Sequence, residues 1–191
     1  MTERMKERMA YFPMFIDMEG KQVLVAGAGT VGIRRIQILL EFGAQVTVAA
    51  PESLYMEELL ASYGKNSSYG KERLIWLKGD YETYREKILA SEKPYFLVLA
   101  ATGRSDTDRM AAADGRKMGA FVNVASDREQ SDFYFPGIAR LGEVTAGVIA
   151  GGNNHKLAKK ASEAVREIFH SKKEEWGQDM DHDRSKKKER Y

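Results

Sequence analysis

Apolar residues fall along this chain in two alternating rhythms. Residues 22–26 (QVLVA) form a short continuous apolar run, and residues 46–50 form a second that stops at Pro51. Between them Ile33, Ile36, Leu39 and Leu40 recur at helical spacing, and Gly43 stands where a glycine closes a helix. A strand, a glycine turn, a helix and a second strand within roughly 30 residues make the parallel βαβ unit. The rhythm continues with helices predicted over 53–63, 81–90 and 107–118 and strands over 74–77, 96–100 and 121–124, while the polar 65–69 (KNSSY) reads as a loop. Continuous apolar strands alternating with helices imply a parallel sheet covered on both faces.

After Asp127 the pattern changes. Two strand-like runs, 133–139 and 144–150, are joined by Arg140-Leu141-Gly142-Glu143, which signals a hairpin. Gly151-Gly152-Asn153-Asn154 then opens a helix over 155–170, with Leu157, Ala161, Val165 and Ile168 on one side. The last stretch is highly charged and reads as a frayed helix or a disordered tail. The expected organisation is a dinucleotide-binding domain over 1–117, a strand and hairpin region over 118–150, and a C-terminal helical region with its tail over 151–191.

Gly27, Gly29 and Gly32 form G-x-G-x-x-G directly after a strand and before a helix. In that context each glycine has a task. The first allows the tight turn, the second lets the backbone approach a pyrophosphate, and the third lets helix and strand pack closely. The helix start then offers unpaired N–H groups and a positive dipole end to phosphates. This predicts a Rossmann-type doubly wound α/β fold. The second strand departs from the usual pattern. Ala50 stands where an Asp or Glu commonly meets the ribose diol, and Glu52 lies two residues on, placed either for the hydroxyls or as a solvated helix-start residue. No Arg follows the strand, which favours NAD over NADP.

Composition narrows the class. The chain has 191 residues with Lys plus Arg 30 and Asp plus Glu 28, a net charge of +2. The tail from Ser171 holds seven basic and six acidic residues, so the body is near neutral too. A nucleic-acid binder usually carries a clear basic excess. With no cysteine, a disulfide framework, a thiolate metal site and a Cys nucleophile are all ruled out. No His/Asp/Glu cluster has metal-ligand spacing. The start, MTERMKERMAYFPMF, lacks the apolar core of a secretory signal, and no apolar run is long enough for a bilayer span. A soluble cytoplasmic protein, without nucleic-acid or membrane partners, is expected.

Several separated motifs now agree in order: Phe12-Pro13, the glycine turn with the basic Arg34 and Arg35 behind it, Ala49-Ala50-Pro51, Ala100-Ala101-Thr102, Asn123-Val124-Ala125-Ser126, Phe133 to Pro136, and Gly151 to Ala158. Over roughly residues 10–168 the chain resembles the precorrin-2 dehydrogenase family, the dehydrogenase module of siroheme synthases. The resemblance implies oxidation of precorrin-2 to sirohydrochlorin with NAD, and a homodimer joined largely through the hairpin. It implies cofactor contacts at Thr30 and Val31 and at Pro51 and Glu52, with Thr102 beside them. It also implies a polycarboxylate tetrapyrrole, for which Arg104, Arg140, Gly152, Asn153, Asn154, His155 and Lys156 are the candidate contacts, each Lys or Arg being also readable as a solvated charge.

Two positions depart from the family pattern. Its N-V-x-D aspartate, implicated in both activities of bifunctional members, falls on Ser126, with Asp127 next door. A one-residue shift on a strand turns a side chain to the other face, unless the chain leaves the strand there. Asn154 and His155 stand where the family has Ser-Pro. Ser126, Asp127 and Asp106 are the candidate catalytic positions. Asp106 reads equally as the cap of the 107–118 helix. Hydride transfer to nicotinamide asks the protein mainly for position and electrostatics, whereas metal insertion must strip pyrrole protons and favours a positioned carboxylate. The expected function is therefore dehydrogenation without efficient iron chelation. The alternatives are a bifunctional dehydrogenase and ferrochelatase, and an NAD-sensing regulatory module without chemistry.

Overall fold

The computed structural model describes residues 11–66, 73–151 and 154–176. It divides into two compact units, Ile16–Tyr134 and a second made of Met1–Phe15 with Phe135–Tyr191.

The first unit holds a five-stranded sheet. Its strands are β1 (Gln22–Ala26), β2 (Gln45–Ala50), β3 (Leu74–Lys78), β4 (Leu97–Ala100) and β5 (Phe121–Val124), in the order β3-β2-β1-β4-β5 and all parallel. The connecting helices are α1 (Thr30–Glu41), α2 (Leu54–Asn66), α3 (Tyr81–Leu89) and α4 (Ser105–Lys117). The strand order reverses between β1 and β4. That switch point is where open α/β sheets leave a crevice at the strands' carboxyl ends.

Strand alternation sorts the core into two layers. Leu24, Ala26, Val98, Ala100, Val122 and Val124 pack with Ala111 and Ala112 of α4 and with Tyr81 and Ile88 of α3. Val23 and Val25 point the other way, as the period of two requires, toward the side where α1 buries Ile36, Leu39 and Leu40. The small side chains of α4 let it lie close over β4 and β5.

Beneath α3 and α4 a buried polar group ties the layer together. Asp114 accepts from Arg85 Nε at 2.6 Å and Nη2 at 2.9 Å, and from the Tyr81 hydroxyl at 3.0 Å. The Arg85 fork, with help from Tyr81, holds the Asp114 carboxyl well below the usual carboxylate range. The same cluster, burial first, pushes the Tyr81 hydroxyl up.

The free edge of β5 is closed by the loop that follows it. Val122 N–H donates to Asp132 Oδ2 at 2.8 Å and Val124 N–H to Ser131 Oγ at 2.9 Å, so side chains replace a sixth strand.

The second unit carries the antiparallel hairpin β6 (Gly137–Leu141) and β7 (Val144–Val148), followed by α5 (His155–Ser171). Gly142 opens the two-residue turn with φ +57°, the position that a type II′ hairpin turn reserves for glycine. Arg166 Nε of α5 donates to the Ile138 carbonyl of β6 at 3.1 Å. Past α5 a further helical turn places Trp176 edge-to-face with Phe169, ring centroids 6.0 Å apart.

Several boundaries differ from the sequence reading. The helix expected over 53–63 runs on to Asn66, taking in the first residues of the expected loop, whose remainder lies outside the described residues. The strand expected from 133 begins only at Gly137, because Pro136 has no N–H to give a ladder. The helix expected from 107 begins at Ser105 with Arg104 as its N-cap, so Asp106 sits inside the first turn and does not cap it. β5, read from the sequence as a strand of the parallel sheet although the domain division set it with the hairpin, is a strand of that sheet. The charged tail beyond 176 lies outside the described residues.

Asp114→Asn is expected to lower the unfolding free energy at pH 7 by about 2 kcal/mol. That is less than the cost of breaking a fully buried pair, because Arg85 keeps 40% of its side chain exposed. A depressed folded-state pKa contributes stability that is complete above the unfolded value of about 4 and is lost as pH falls through the folded one. The gap between wild type and variant, read by urea denaturation, should therefore narrow from pH 7 to pH 3. A gap of constant size would contradict the assignment.

Candidate functional site

The glycine turn lies at the carboxyl end of β1, at the switch point. Gly27 takes φ +97°, and a Cβ there would meet the Ala101 carbonyl oxygen at 2.3 Å and Thr102 Cα at 2.7 Å. The turn after β1 is thus pressed against the turn after β4. A Cβ on Gly32 would lie 2.4 Å from the Gly27 carbonyl oxygen, so α1 closes tightly onto the loop that leads into it. Gly29 is different: a Cβ there would meet nothing within 4 Å. Its open face fits the close approach of a ligand, and it is the N-cap of α1.

Helix geometry leaves the first-turn N–H groups of Thr30, Val31 and Gly32 without intrahelical acceptors. No acidic residue lies in that turn, whereas α4 carries Asp106 and Asp108 in its own and α3 carries Glu82. The positive end of α1 is therefore uncompensated, as a pyrophosphate site requires.

At the end of β2 the Ala50 carbonyl is already engaged, accepting from Trp76 Nε1 at 2.9 Å and Gly79 N at 3.0 Å. Pro51 and Glu52 are exposed just beyond it. Lys78 stands in register with Ala50 on β3, its ammonium 4.6 Å from the centre of the Trp76 ring.

The turn after β4 is fixed by a residue that the sequence reading did not single out. Asp108 is 1% exposed, and its Oδ1 accepts from the Thr102 backbone N–H at 2.9 Å and from the Thr102 hydroxyl at 2.7 Å. The same hydroxyl accepts from Arg104 N at 3.0 Å. Helical spacing separates Asp108 from Asp106: Asp108 lies three, four and seven residues before the buried Ala111, Ala112 and Gly115, whereas Asp106 falls on the other side of α4, 95% exposed and paired with Arg109.

Arg104 is paired as well, with Asp80 at 3.3 Å and with Glu82, which also accepts from the Thr107 hydroxyl at 2.6 Å. Those bonds, Thr107's first, hold the Glu82 carboxyl below its usual range. A role for Arg104 toward substrate would have to compete with two carboxylates.

β5 ends at Val124, and Ala125 and Ser126 form an exposed turn. The chain does leave the strand before Asp127, so strand alternation does not govern where that side chain points. Asp127 folds back onto its own loop. Its Oδ1 accepts from the N–H of Glu129 at 2.9 Å and Gln130 at 3.3 Å, and its Oδ2 from Gln130 Nε2 at 2.6 Å. These bonds, the Gln130 side chain foremost, keep its carboxyl low, with a further contribution from Arg109.

Asn123 joins three of the sequence motifs. Its Oδ1 accepts from Arg35 Nη1 at 2.7 Å and its Nδ2 donates to the Phe133 carbonyl at 2.8 Å. The basic pair behind the glycine turn is thereby divided: Arg34 is exposed, while burial pulls the Arg35 guanidinium down to about 10.

Gly27, Gly29, Thr30, Val31, Gly32, Pro51, Glu52, Thr102, Arg104, Asp106, Ser126 and Asp127 all belong to the first unit, in or just beyond the turns that follow β1, β2, β4 and β5. Arg140, Asn154 and Lys156 belong to the second. Arg140 lies opposite Thr145 in the hairpin, and Asn154 uses its Oδ1 to cap Leu157 N at 2.9 Å. Gly152 and Asn153, and the side chain of His155, lie outside the described residues. Among the described residues no group of three or more His, Asp or Glu could hold a metal ion.

The NAD(P)-binding family model NAD_binding_7 matches residues 14–137. The chain is 34% identical over 161 residues to the "Probable multifunctional siroheme biosynthesis protein HemA" of Ruminiclostridium josui, a match covering 82% of this chain and 28% of that protein. It is 30% identical over 165 residues to the siroheme synthase of Buchnera aphidicola subsp. Acyrthosiphon pisum, covering 86% of this chain and 32% of that one. The chain thus spans about a third or less of these curated relatives. Among solved structures, "SirC, precorrin-2 dehydrogenase" superposes with a TM-score of 0.62 at 24% identity, over 83% of this chain and 71% of that chain, and it bears out the fold.

Gly29→Asp should leave the thermal midpoint within a few degrees, because its side chain enters open space, and should weaken NAD binding at least 100-fold by calorimetry. Gly27→Ala should do the reverse first, lowering the midpoint through its clash and its positive φ. Unchanged NAD affinity in Gly29→Asp would remove the glycine turn from the site.

Proposed function

The chain belongs to the NAD(P)-binding family, and on that premise we propose that it oxidises precorrin-2 to sirohydrochlorin with NAD as the acceptor. The observation that carries the dinucleotide half is the acid-free start of α1 beside an open Gly29 at the switch point. The names of the siroheme-related proteins and of SirC supply the substrate half.

In this reading, bound NAD supplies a nicotinamide ring that takes a hydride from the macrocycle. The remaining work belongs to the chain. Gly29, Thr30, Val31 and Gly32 hold the pyrophosphate through backbone N–H groups, and Pro51 and Glu52 flank the ribose at the end of β2. Thr102 bounds the crevice on the β4 side. The substrate loses a hydride and a proton as its conjugation extends, so atoms and charge balance as NADH and a proton. Proton loss from a ring system that gains conjugation needs no strong base, and none is assigned. Arg140, Asn154 and Lys156, with the segment 152–155, are the proposed contacts for the substrate's carboxylates. The start of α5 suits that task, since its first turn has no acidic residue.

Iron insertion has less support. Ser126 cannot act as a carboxylate base, and Asp127 is held low by Gln130 and two loop amides, which makes it a weak proton acceptor. The proposed protein is a dehydrogenase alone, acting as a homodimer in the cytoplasm. Self-association is supported by the exposed apolar side chains of Phe12, Met14 and Phe15, 85%, 69% and 75% accessible. Among the described residues no helix is long and apolar enough to cross a membrane.

Anaerobic absorbance with precorrin-2 and NAD tests the reading. A sirohydrochlorin spectrum with one NADH formed per turnover is expected, and addition of ferrous iron should then produce no siroheme faster than the uncatalysed rate. NAD binding without conversion would leave an NAD-sensing module, and catalysed iron insertion would restore the bifunctional alternative. Ser126→Ala should keep the oxidation rate to within ~100-fold, about 2.7 kcal/mol. A larger loss would give Ser126 a role in the chemical step.

A further inference from the structure

Asp108 has a second oxygen that the dinucleotide reading does not use. Oδ1 is doubly occupied by Thr102, but Oδ2 is buried and has no hydrogen-bond partner among the described residues. Holding the turn does not by itself need a carboxylate, since the carbonyl oxygen of an Asn would accept the same two hydrogen bonds. A buried and half-satisfied charge is costly, and such a group calls for an explanation.

Its position suggests one. Thr102 follows the last residues of β4, and its Cα lies against Gly27 across the switch point. β2 and β4 flank β1 on opposite sides. In this fold the ribose that an acidic residue usually meets at the end of β2 is the adenosine ribose. A dinucleotide with its pyrophosphate at Gly29 and its adenosine half toward β2 extends its nicotinamide half toward β4. That is the side where Asp108 is buried.

We propose that Asp108 is a positioning residue that sets the wall of the crevice through Thr102, and that its buried charge makes the site favour the oxidised, cationic nicotinamide over the reduced, neutral ring. The inference rests on the dinucleotide reading above. A single negative charge in a low-dielectric layer acts on the ring's charge over several ångströms, while water and salt screen it little. It has no comparable effect on the adenosine half. The two forms of the cofactor differ by one charge and one hydride, so their affinity ratio isolates this term from general effects on folding. A group that only holds the loop would change both affinities together.

The test compares NAD⁺, NADH and ADP-ribose binding by calorimetry for wild type, Asp108→Asn and Thr102→Val. Asp108→Asn keeps an acceptor for Thr102 and loses the charge. It should shift the NAD⁺ to NADH affinity ratio at least about fivefold against NAD⁺, and leave ADP-ribose within twofold. Thr102→Val keeps the charge and the backbone bond, and should weaken both forms of the cofactor without moving the ratio. Asp108→Ser, also neutral, must give the same shift and serves where the Asn variant does not fold. An unchanged ratio in the neutral variants, with both forms still bound, would overturn the proposal and leave the dinucleotide site standing. Failure of folded wild type to bind any of the three ligands would overturn the site itself, and the proposal with it.

Discussion

The close approach of two turns sets the geometry of this protein's site. The glycine turn after β1 and the Ala101-Thr102 turn after β4 meet where Gly27 leaves no room for a side chain. The contact occurs at the one place where the sheet reverses its strand order, between the turn that leads into α1 and the turn that leads into α4. Each helix start then takes a different chemical character. α1 keeps its N–H groups and its dipole uncompensated, as an anion site needs. α4 carries Asp106 and Asp108 in its first turn, and the bonds from Thr102 to Asp108 hold the β4 turn in place.

The layers below serve that geometry. Tyr81, Arg85 and Asp114 tie α3 to α4, while Ala111 and Ala112 let α4 lie close on β4 and β5. On the other face, Arg35 reaches from α1 to Asn123 of β5, and Asn123 in turn holds the Phe133 carbonyl. Three motifs that stand apart along the chain are thereby joined into a single hydrogen-bonded group. The side chains of Ser131 and Asp132 finish the sheet by closing its β5 edge.

Much of this was legible from residues alone. Each strand of the parallel sheet was visible as a short apolar run, and the glycine turn stood in the strand-to-helix context that gives it meaning. What was not legible depended on folding. Arg35 and Asn123 lie 88 positions apart, and no spacing rule links them. Asp106 and Asp108 are two residues apart and chemically identical, and the face of α4 that each takes decides which is buried. The strand at 133–136 failed on a local point, the missing N–H of Pro136. For Asp127 the sequence left two readings open, one in the strand and one past its end; the chain turns after Val124 and the carboxylate becomes bound into its own loop.

The central claim is that a dinucleotide lies across the β1 and β4 turns. Amide chemical shifts of ¹⁵N-labelled protein titrated with NAD test it most directly. The account predicts that the largest perturbations fall on Gly29, Thr30, Val31 and Gly32 and on Ala101 and Thr102, with smaller ones at Glu52. A saturable response centred on other amides, with these six unmoved, would contradict it.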